Sequence, residues 1–362
     1  MSTDRSTTDG GAGAATTPIP SGRPALLRSL AHRLAGDAAE LPVEGHLASF
    51  DGAIGWLNSE PLTPEGLRGR VVLVDFWTYT CINWLRTLPY VRAWAAKYAE
   101  AGLTVIGVHT PEFGFERDVD NITAQSRDFG VDYPVAIDSQ YAVWGAFANH
   151  FWPAAYLADE QGRIRFHHFG EGEYAMTEMV IQQLLIDAGA EGIDPGLVEV
   201  EPHGLEVPAD YRTLRSPESY LGYGQSAGFA SNDVADFDRP HVYAADPRLP
   251  LNYWDLSGDW TVARHAAVLN EPGGRVAFQF QARDVNLVMG PASKGASIAF
   301  RVYLDGQVAN GARGTDVEAD GRGTLTDQRT YQLIRQPGTI AERRFEIEFL
   351  DAGAEAYCFT FG

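Results

Sequence analysis

Residues 71–85 read VVLVDFWTYTCINWL, and the order of chemistries in that stretch decides the fold. Its four opening aliphatic residues form the unbroken run expected of a strand covered on both faces of a sheet; a half-solvated strand would alternate apolar with polar side chains. Asp75 interrupts the run. A carboxylate there is desolvated and needs either a hydrogen-bonding partner or a function. Cys81 follows just past the strand end, where a helix is expected to begin. At a helix start, unbonded N–H groups and the positive end of the aligned peptide dipoles favour a thiolate. Cys81 is therefore a candidate nucleophile, set against the plainer alternative of a small buried hydrophobe.

The strand ending Val-Asp-Phe-Trp, the cysteine six residues after Asp75 and the proline eight residues after Cys81 (Pro89) resemble the thioredoxin superfamily. In that superfamily the cysteine opens a Cys-x-x-Cys pair; here the four residues are Cys81, Ile82, Asn83 and Trp84, so the second thiol is replaced by a tryptophan. The resemblance implies that Asp75 is a buried carboxylate handling the second thiol's proton, with local hydrogen bonding as the alternative role. It implies that Pro153, in Phe151-Trp152-Pro153, is a cis-proline setting the backbone of Trp152 beside Cys81 for an extended thiol substrate. Trp77 and Trp84 would flank the thiol, Trp84 either narrowing access or simply packing. Glu112, in HTPEFGFE after the second strand, would approach the cysteine.

Outward from this stretch, Leu103–His109, Tyr133–Ile137, Ala154–Ala158 and Arg163–Phe169 read as further strands. Helices are expected from Cys81 to about Ala101 with a bend at Pro89, over Phe113–Phe129, over Tyr141–His150 and over Glu173–Ala188. The turn residues around GAIGWLNSE suggest a short hairpin leading into the core strand. The order is that of an α/β thioredoxin-like fold, a central mixed sheet flanked by helices. Residues 1–37 read as a Gly/Thr-rich disordered tail with a short amphipathic helix at Pro24–Ala35, and 38–191 as the α/β domain. Residues 192–217, with four prolines and no apolar period, read as a linker. Residues 218–362 show short alternating runs between Gly/Asp/Asn turns and predict an all-β, jelly-roll-like sandwich.

The chain has 362 residues and a formal charge of −20, which disfavours phosphate backbones and anionic lipid, so no nucleic-acid partner is expected. Two cysteines make no disulfide framework, and no Cys/His spacing reads as a zinc site; no metal or cofactor is expected. His109 and the pair His167-His168 read as satisfied polar residues. With no apolar run of membrane length and no signal pattern, a cytoplasmic location is expected. Cys358, in AYCFTFG, reads as a core position. Tyr243, Tyr253, Trp254 and Trp260 are either core aromatics or a glycan-stacking face, and Asp233, Asp236 and Asp238 read as a solvated acidic loop.

The motifs VVLVDFWTYTCINWLRTLPYV, VIGVHTPEFGFE, YPVAIDSQYAVW, FWPAAYLAD and FGEGEY together resemble the thioredoxin-like part of the DipZ family, a TlpA-like branch of thiol–disulfide oxidoreductases. SYLGY, DVNLVMG, YQLIR and AYCFTFG are similar to the carbohydrate-binding-module-like sandwich that follows it in DipZ proteins. The resemblance implies a thiol oxidoreductase acting through a single cysteine on a thiol/disulfide protein or a small-molecule thiol. Redoxin-type antioxidant chemistry is a variant of that expectation, since Thr78 stands three residues before Cys81 as in peroxiredoxins, although Val74 replaces their proline. The competing expectation is a redox-inactive binding protein using the scaffold and the sandwich for protein or glycan partners. DipZ proteins carry a membrane domain ahead of this part; this sequence shows none.

Overall fold

The computed structural model describes residues 41–362, and the chain divides between Val200 and Glu201 into two compact units. The expected Pro24–Ala35 helix lies outside the described residues.

The first unit runs β1 (Gly45–His46), β2 (Gly55–Leu57), β3 (Val71–Trp77), α1 (Ile82–Tyr98), β4 (Leu103–His109), α2 (Val119–Asp128), β5 (Val135–Ile137), α3 (Ala142–Ala146), β6 (Ala154–Ala158), β7 (Arg163–Phe169) and α4 (Tyr174–Asp187). The strands form one mixed sheet in the order β1-β7-β6-β3-β4-β5-β2. β3, β4 and β5 are parallel, while β6 pairs antiparallel with β3 and β7 antiparallel with β6. This is a thioredoxin-like fold. All seven residues of β3 are buried, the burial a central strand needs. The strand's two-residue period divides them: Val72, Val74 and Phe76 join Ile106 and Val108 in one core, which leaves Asp75 and Trp77 on the opposite face. Glu178 of α4 ties the helices of that face together. Its carboxylate accepts from Trp94 Nε1 (3.1 Å), Lys97 Nζ (3.1 Å), Tyr98 Oη (2.7 Å) and the backbone N–H of Val198 (2.9 Å). The last of these fastens residues beyond α4 to the unit.

Several local expectations are corrected. The residues around GAIGWLNSE do not form a hairpin: β1 pairs with β7 and β2 with β5, at opposite edges of the sheet. One helix over Phe113–Phe129 is replaced by a 3-10 turn, Gly114–Arg117, and α2; Asp118 in extended backbone separates them and caps α2 by accepting from the Asp120 N–H. The helix expected over Tyr141–His150 is only α3, because Tyr141 and Ala148 take left-handed backbone (φ 60° and 48°) at its two ends. α1 ends at Tyr98 and runs on through Pro89.

The second unit is antiparallel throughout its named strands, a curled sheet closing on one core as a β-sandwich. The strand Trp254–Val262 builds the corner. Its first half pairs with Arg275–Phe280 and its second half with Ala267–Leu269 and Pro240–Tyr243. Gly258 stands where it changes partners, with φ +98° and a would-be Cβ 2.9 Å from the Gly274 Cα. A side chain there meets backbone that cannot give way. Gly258→Ala is expected to cost about 1–3 kcal/mol. Amide exchange in the strands Trp254–Val262 and Arg275–Phe280 should then rise roughly tenfold or more, whereas unchanged exchange would mean the corner tolerates a methyl group.

Trp254, Trp260 and Tyr243 are buried in that core, with Trp254 stacked on Phe229 at 4.2 Å, whereas Tyr253 is 43% exposed. Three of the four aromatics are thus interior residues. Cys358 is buried, 1% exposed, in the last strand. Among the described residues no group of three or more His, Cys, Asp or Glu side chains could hold a metal ion, and no helix is long and apolar enough to cross a membrane.

Candidate active site

The site is built where β3 hands over to α1. Cys81 is the N-cap residue of α1, with extended backbone (φ −71°, ψ 109°) and no side-chain cap hydrogen bond. Its carbonyl accepts the first helical bond from Leu85 N–H (3.0 Å), and its own N–H donates to the Thr78 carbonyl (3.2 Å). The thiol is half-buried, beside the first turn of a 17-residue helix whose leading N–H groups have no partner within the helix. That end attracts negative charge and so favours the thiolate.

One helical turn further on, Trp84 is wholly buried and points back at the sheet. Its indole Nε1 donates to Asp75 Oδ2 at 2.9 Å, and its ring stacks on Trp77 with centroids 4.2 Å apart and planes 18° from parallel. The third position after the cysteine is thus held by an indole that engages the buried Asp75 carboxylate. Burial drives the Asp75 carboxyl up to about 7, and the indole bond only partly opposes it.

Trp77 is held from its other side by His109, whose ring meets it edge-on at 4.8 Å. The parallel pairing that places Trp77 beside His109 also places Asp75 beside Gly107. A Cβ at 107 would lie 2.8 Å from Trp77 Nε1, so only glycine lets the indole sit there. His109 is fully buried with its Nε2 3.5 Å from Thr78 Oγ1; burial lowers it to about 3 and keeps it neutral.

Pro153 is buried and follows a cis Trp152–Pro153 bond. Phe76 pairs with Ala154, so Pro153 sits at the sheet end from which β3 leaves for Cys81. Trp152 is half-buried, packs on Trp144 at 4.3 Å and donates its indole N–H to the Thr110 carbonyl (3.1 Å). Glu112 is half-buried, and its backbone N–H donates to Glu116 Oε2 at 2.6 Å. His167 is paired with Glu44 at 2.7 Å, which raises its pKa, and His168 lies 3.4 Å from the Glu171 carbonyl.

Glu116 is the residue that sequence reasoning missed. It is fully buried on the 3-10 turn, and its carboxylate gathers Thr80, Glu112 and Phe113. The one available signal was an apolar environment: in Phe113-Gly114-Phe115-Glu116 the second glutamate follows two aromatic residues, a context in which a charge needs partners.

The chain is similar to known proteins over much of its length. Residues 216–362 match the family model described as the thioredoxin like C-terminal domain. The protein DipZ of Mycobacterium tuberculosis is 37% identical over 257 residues, which are 70% of this chain and 36% of DipZ. Over that stretch the chain is similar to the mycobacterial DipZ proteins. It spans about a third of the length of the mycobacterial DipZ proteins it matches. The thiol-disulfide oxidoreductase YkuV of Bacillus subtilis is 27% identical over 141 residues, 39% of this chain and 95% of YkuV. A solution structure of a thioredoxin-like protein in the oxidized form shares 28% identity, covering 40% of this chain and 97% of that one with a TM-score of 0.38.

Proposed function

We propose that the first unit is a thioredoxin-family thiol oxidoreductase that works through Cys81 alone. The observation that carries this reading is the pairing of a half-exposed thiol at the start of α1 with a buried tryptophan three residues on, hydrogen-bonded to Asp75. The chain's other thiol, Cys358, is buried in the core of the second unit.

In the proposed reaction the Cys81 thiolate attacks one sulfur of a substrate disulfide, forms a Cys81–substrate mixed disulfide and expels the other sulfur as a thiolate. With no neighbouring thiol, the second step belongs to an outside thiol. That thiol attacks the mixed disulfide, regenerates the Cys81 thiolate and leaves with the substrate sulfur as a new disulfide, so two electrons pass without change in the protein. Trp152, Pro153 and Glu112 are proposed to shape the substrate side of the thiol, and the buried Trp77 and Trp84 pair to support the segment that carries it. Asp75 is proposed to hold Trp84 in place, since its carboxylate is already engaged by the indole. Thr78 places its hydroxyl towards His109 and Glu116, which gives no support to the peroxide variant. The interior placement of three of the four sandwich aromatics gives none to a glycan platform.

The test is incubation with glutathione disulfide followed by mass spectrometry. The expected result is one glutathione adduct per chain, at Cys81, formed at neutral pH at least about tenfold faster than on free cysteine, and abolished in Cys81→Ser. An alkylation midpoint near the ordinary ~8.5 and no selective adduct would overturn the reading.

A further inference from the structure

Two chain segments meet at the Glu116 carboxylate. From the loop before α1, Thr80 donates its backbone N–H (3.3 Å) and its hydroxyl (2.6 Å) to Oε1. From the loop after β4, the backbone N–H groups of Glu112 (2.6 Å) and Phe113 (2.8 Å) donate to Oε2. Thr78 also bonds this carboxylate, and its hydroxyl lies 3.5 Å from His109 Nε2. Each oxygen thus serves one segment. Because Glu116 is fully buried, any movement of one segment away from the other strips donors from a carboxylate that water does not reach. Tyr79 and Phe115 extend the seam with ring centroids 6.2 Å apart.

Thr80 immediately precedes Cys81, and the Cys81 N–H is tied to the Thr78 carbonyl. The backbone that aims the sulfur is therefore held at Thr78 and Thr80 by one carboxylate thirty-six residues beyond Thr80 in the sequence. We propose that Glu116 is a positioning residue for Cys81, clamping residues 78–80 against residues 112–113 and so fixing where the sulfur meets a disulfide. This rests on the single-cysteine reading above and deepens it: the loop after β4, through Glu112 and Phe113, becomes part of the machinery that presents the thiol.

Charge and position make opposite demands, which allows them to be told apart. An anion near the sulfur disfavours a thiolate, so removing the charge alone would lower the Cys81 midpoint. Loosening the loop withdraws the ordered helix start from the sulfur and raises it. The other ionisable groups around the clamp are His109, kept neutral by burial, and Tyr141, which feels Glu116, Glu112 and Arg117. Asp75 lies at the end of the Trp84 bond.

The test uses the full chain. Iodoacetamide alkylation of Cys81 is followed by mass spectrometry across about pH 5 to 9 in the wild type, Glu116→Gln and Thr80→Val. Gln keeps one carbonyl oxygen but turns an NH2 group towards donors that need an acceptor. The expected result is a midpoint raised by at least about half a unit in Glu116→Gln, with reaction towards glutathione disulfide at neutral pH slowed about two- to threefold. Thr80→Val removes a single hydroxyl donor, keeps the charge and should move the midpoint the same way by less. It carries the test should Glu116→Gln fail to fold. Profiles that superimpose on the wild type while amide exchange at Thr80 speeds up would overturn the proposal in favour of a purely structural clamp. A downward shift would overturn it in favour of a bare charge effect. A wild-type midpoint near ~8.5 counts against the single-cysteine reading instead, and the difference between variant and wild type still decides the role of Glu116.

Discussion

Trp84→Cys is expected to turn the first unit into a dithiol protein that forms a disulfide between positions 81 and 84. Cys81 caps α1 and position 84 lies on its first turn, three residues on. Side chains at that spacing have Cβ atoms about 5–6 Å apart and close to the range a disulfide spans, so a small adjustment brings the sulfurs together. The substitution also releases Asp75 from its indole donor, which removes the one bond that opposes the upward push of burial on its carboxyl. Asp75 can then take the proton that the second thiol must lose to attack a mixed disulfide. The stability cost is large. Trp84 is wholly buried, stacked on Trp77 and in edge contact with Phe129, and its truncation should cost about 3–5 kcal/mol before any disulfide forms. Mild oxidation followed by thiol titration checks the chemistry: the variant should lose two thiols and the wild type none. Catalysed reduction of insulin should rise at least about tenfold over wild type. If the folded variant keeps all its thiols after oxidation, the loss of dithiol chemistry has another cause than the missing sulfur.

That experiment also marks how far the sequence could be read. The run VVLVD announced a doubly covered strand with an anomalous acid, and β3 is wholly buried with Asp75 inside it. Strand periodicity could say that Asp75 needs a partner, yet not which one. The donor is an indole nine residues on, and only the stacking of Trp84 on Trp77 aims it. Glu112 and Glu116 pose the same difficulty. They stand four residues apart, one before and one on a single 3-10 turn too short to carry a period, so nothing says which side chain turns inward. The family resemblance pointed to the one following proline, while the interior took the other. The short edge strands β1 and β2 escaped for a related reason: each pairs with a strand about eighty residues or more away in sequence, and two or three residues carry no alternation to read. The sandwich tryptophans could be read either as core or as a glycan-stacking face; the strand buries both, and the change of sheet at Gly258 between them left no signal in the sequence.

The pH dependence of stability should expose two buried groups that work against each other. Asp75 titrates near 3.8 when the chain is unfolded and near 7 in the fold, because burial favours its neutral form. Between those values the folded chain holds a proton that the unfolded chain has lost. The stabilisation is fully present below about pH 4, falls as pH rises and is gone above about 7, a total of about 4 kcal/mol. His109 has the opposite sign. Burial lowers it from 6.5 to about 3, so between those values the unfolded chain holds a proton that the fold excludes. Its contribution grows with pH up to about 6.5, by about 5 kcal/mol in all. From about pH 4 to 6.5 the two slopes nearly cancel, and the wild type should look insensitive to both groups. Asp75→Asn removes one of them while keeping an oxygen for the Trp84 N–H. Urea unfolding of this variant should gain about 2–3 kcal/mol relative to wild type between pH 5 and pH 7, as the His109 slope emerges alone. His109→Asn should show the reverse, with stability falling over the same interval. Asp75 lies two residues before Trp77 on β3, and His109 pairs with Trp77 from β4, so both variants report on the buried surroundings of that indole. Stability curves that stay parallel to wild type in both variants would mean that neither group keeps its neutral form in the fold, contrary to the burial of both.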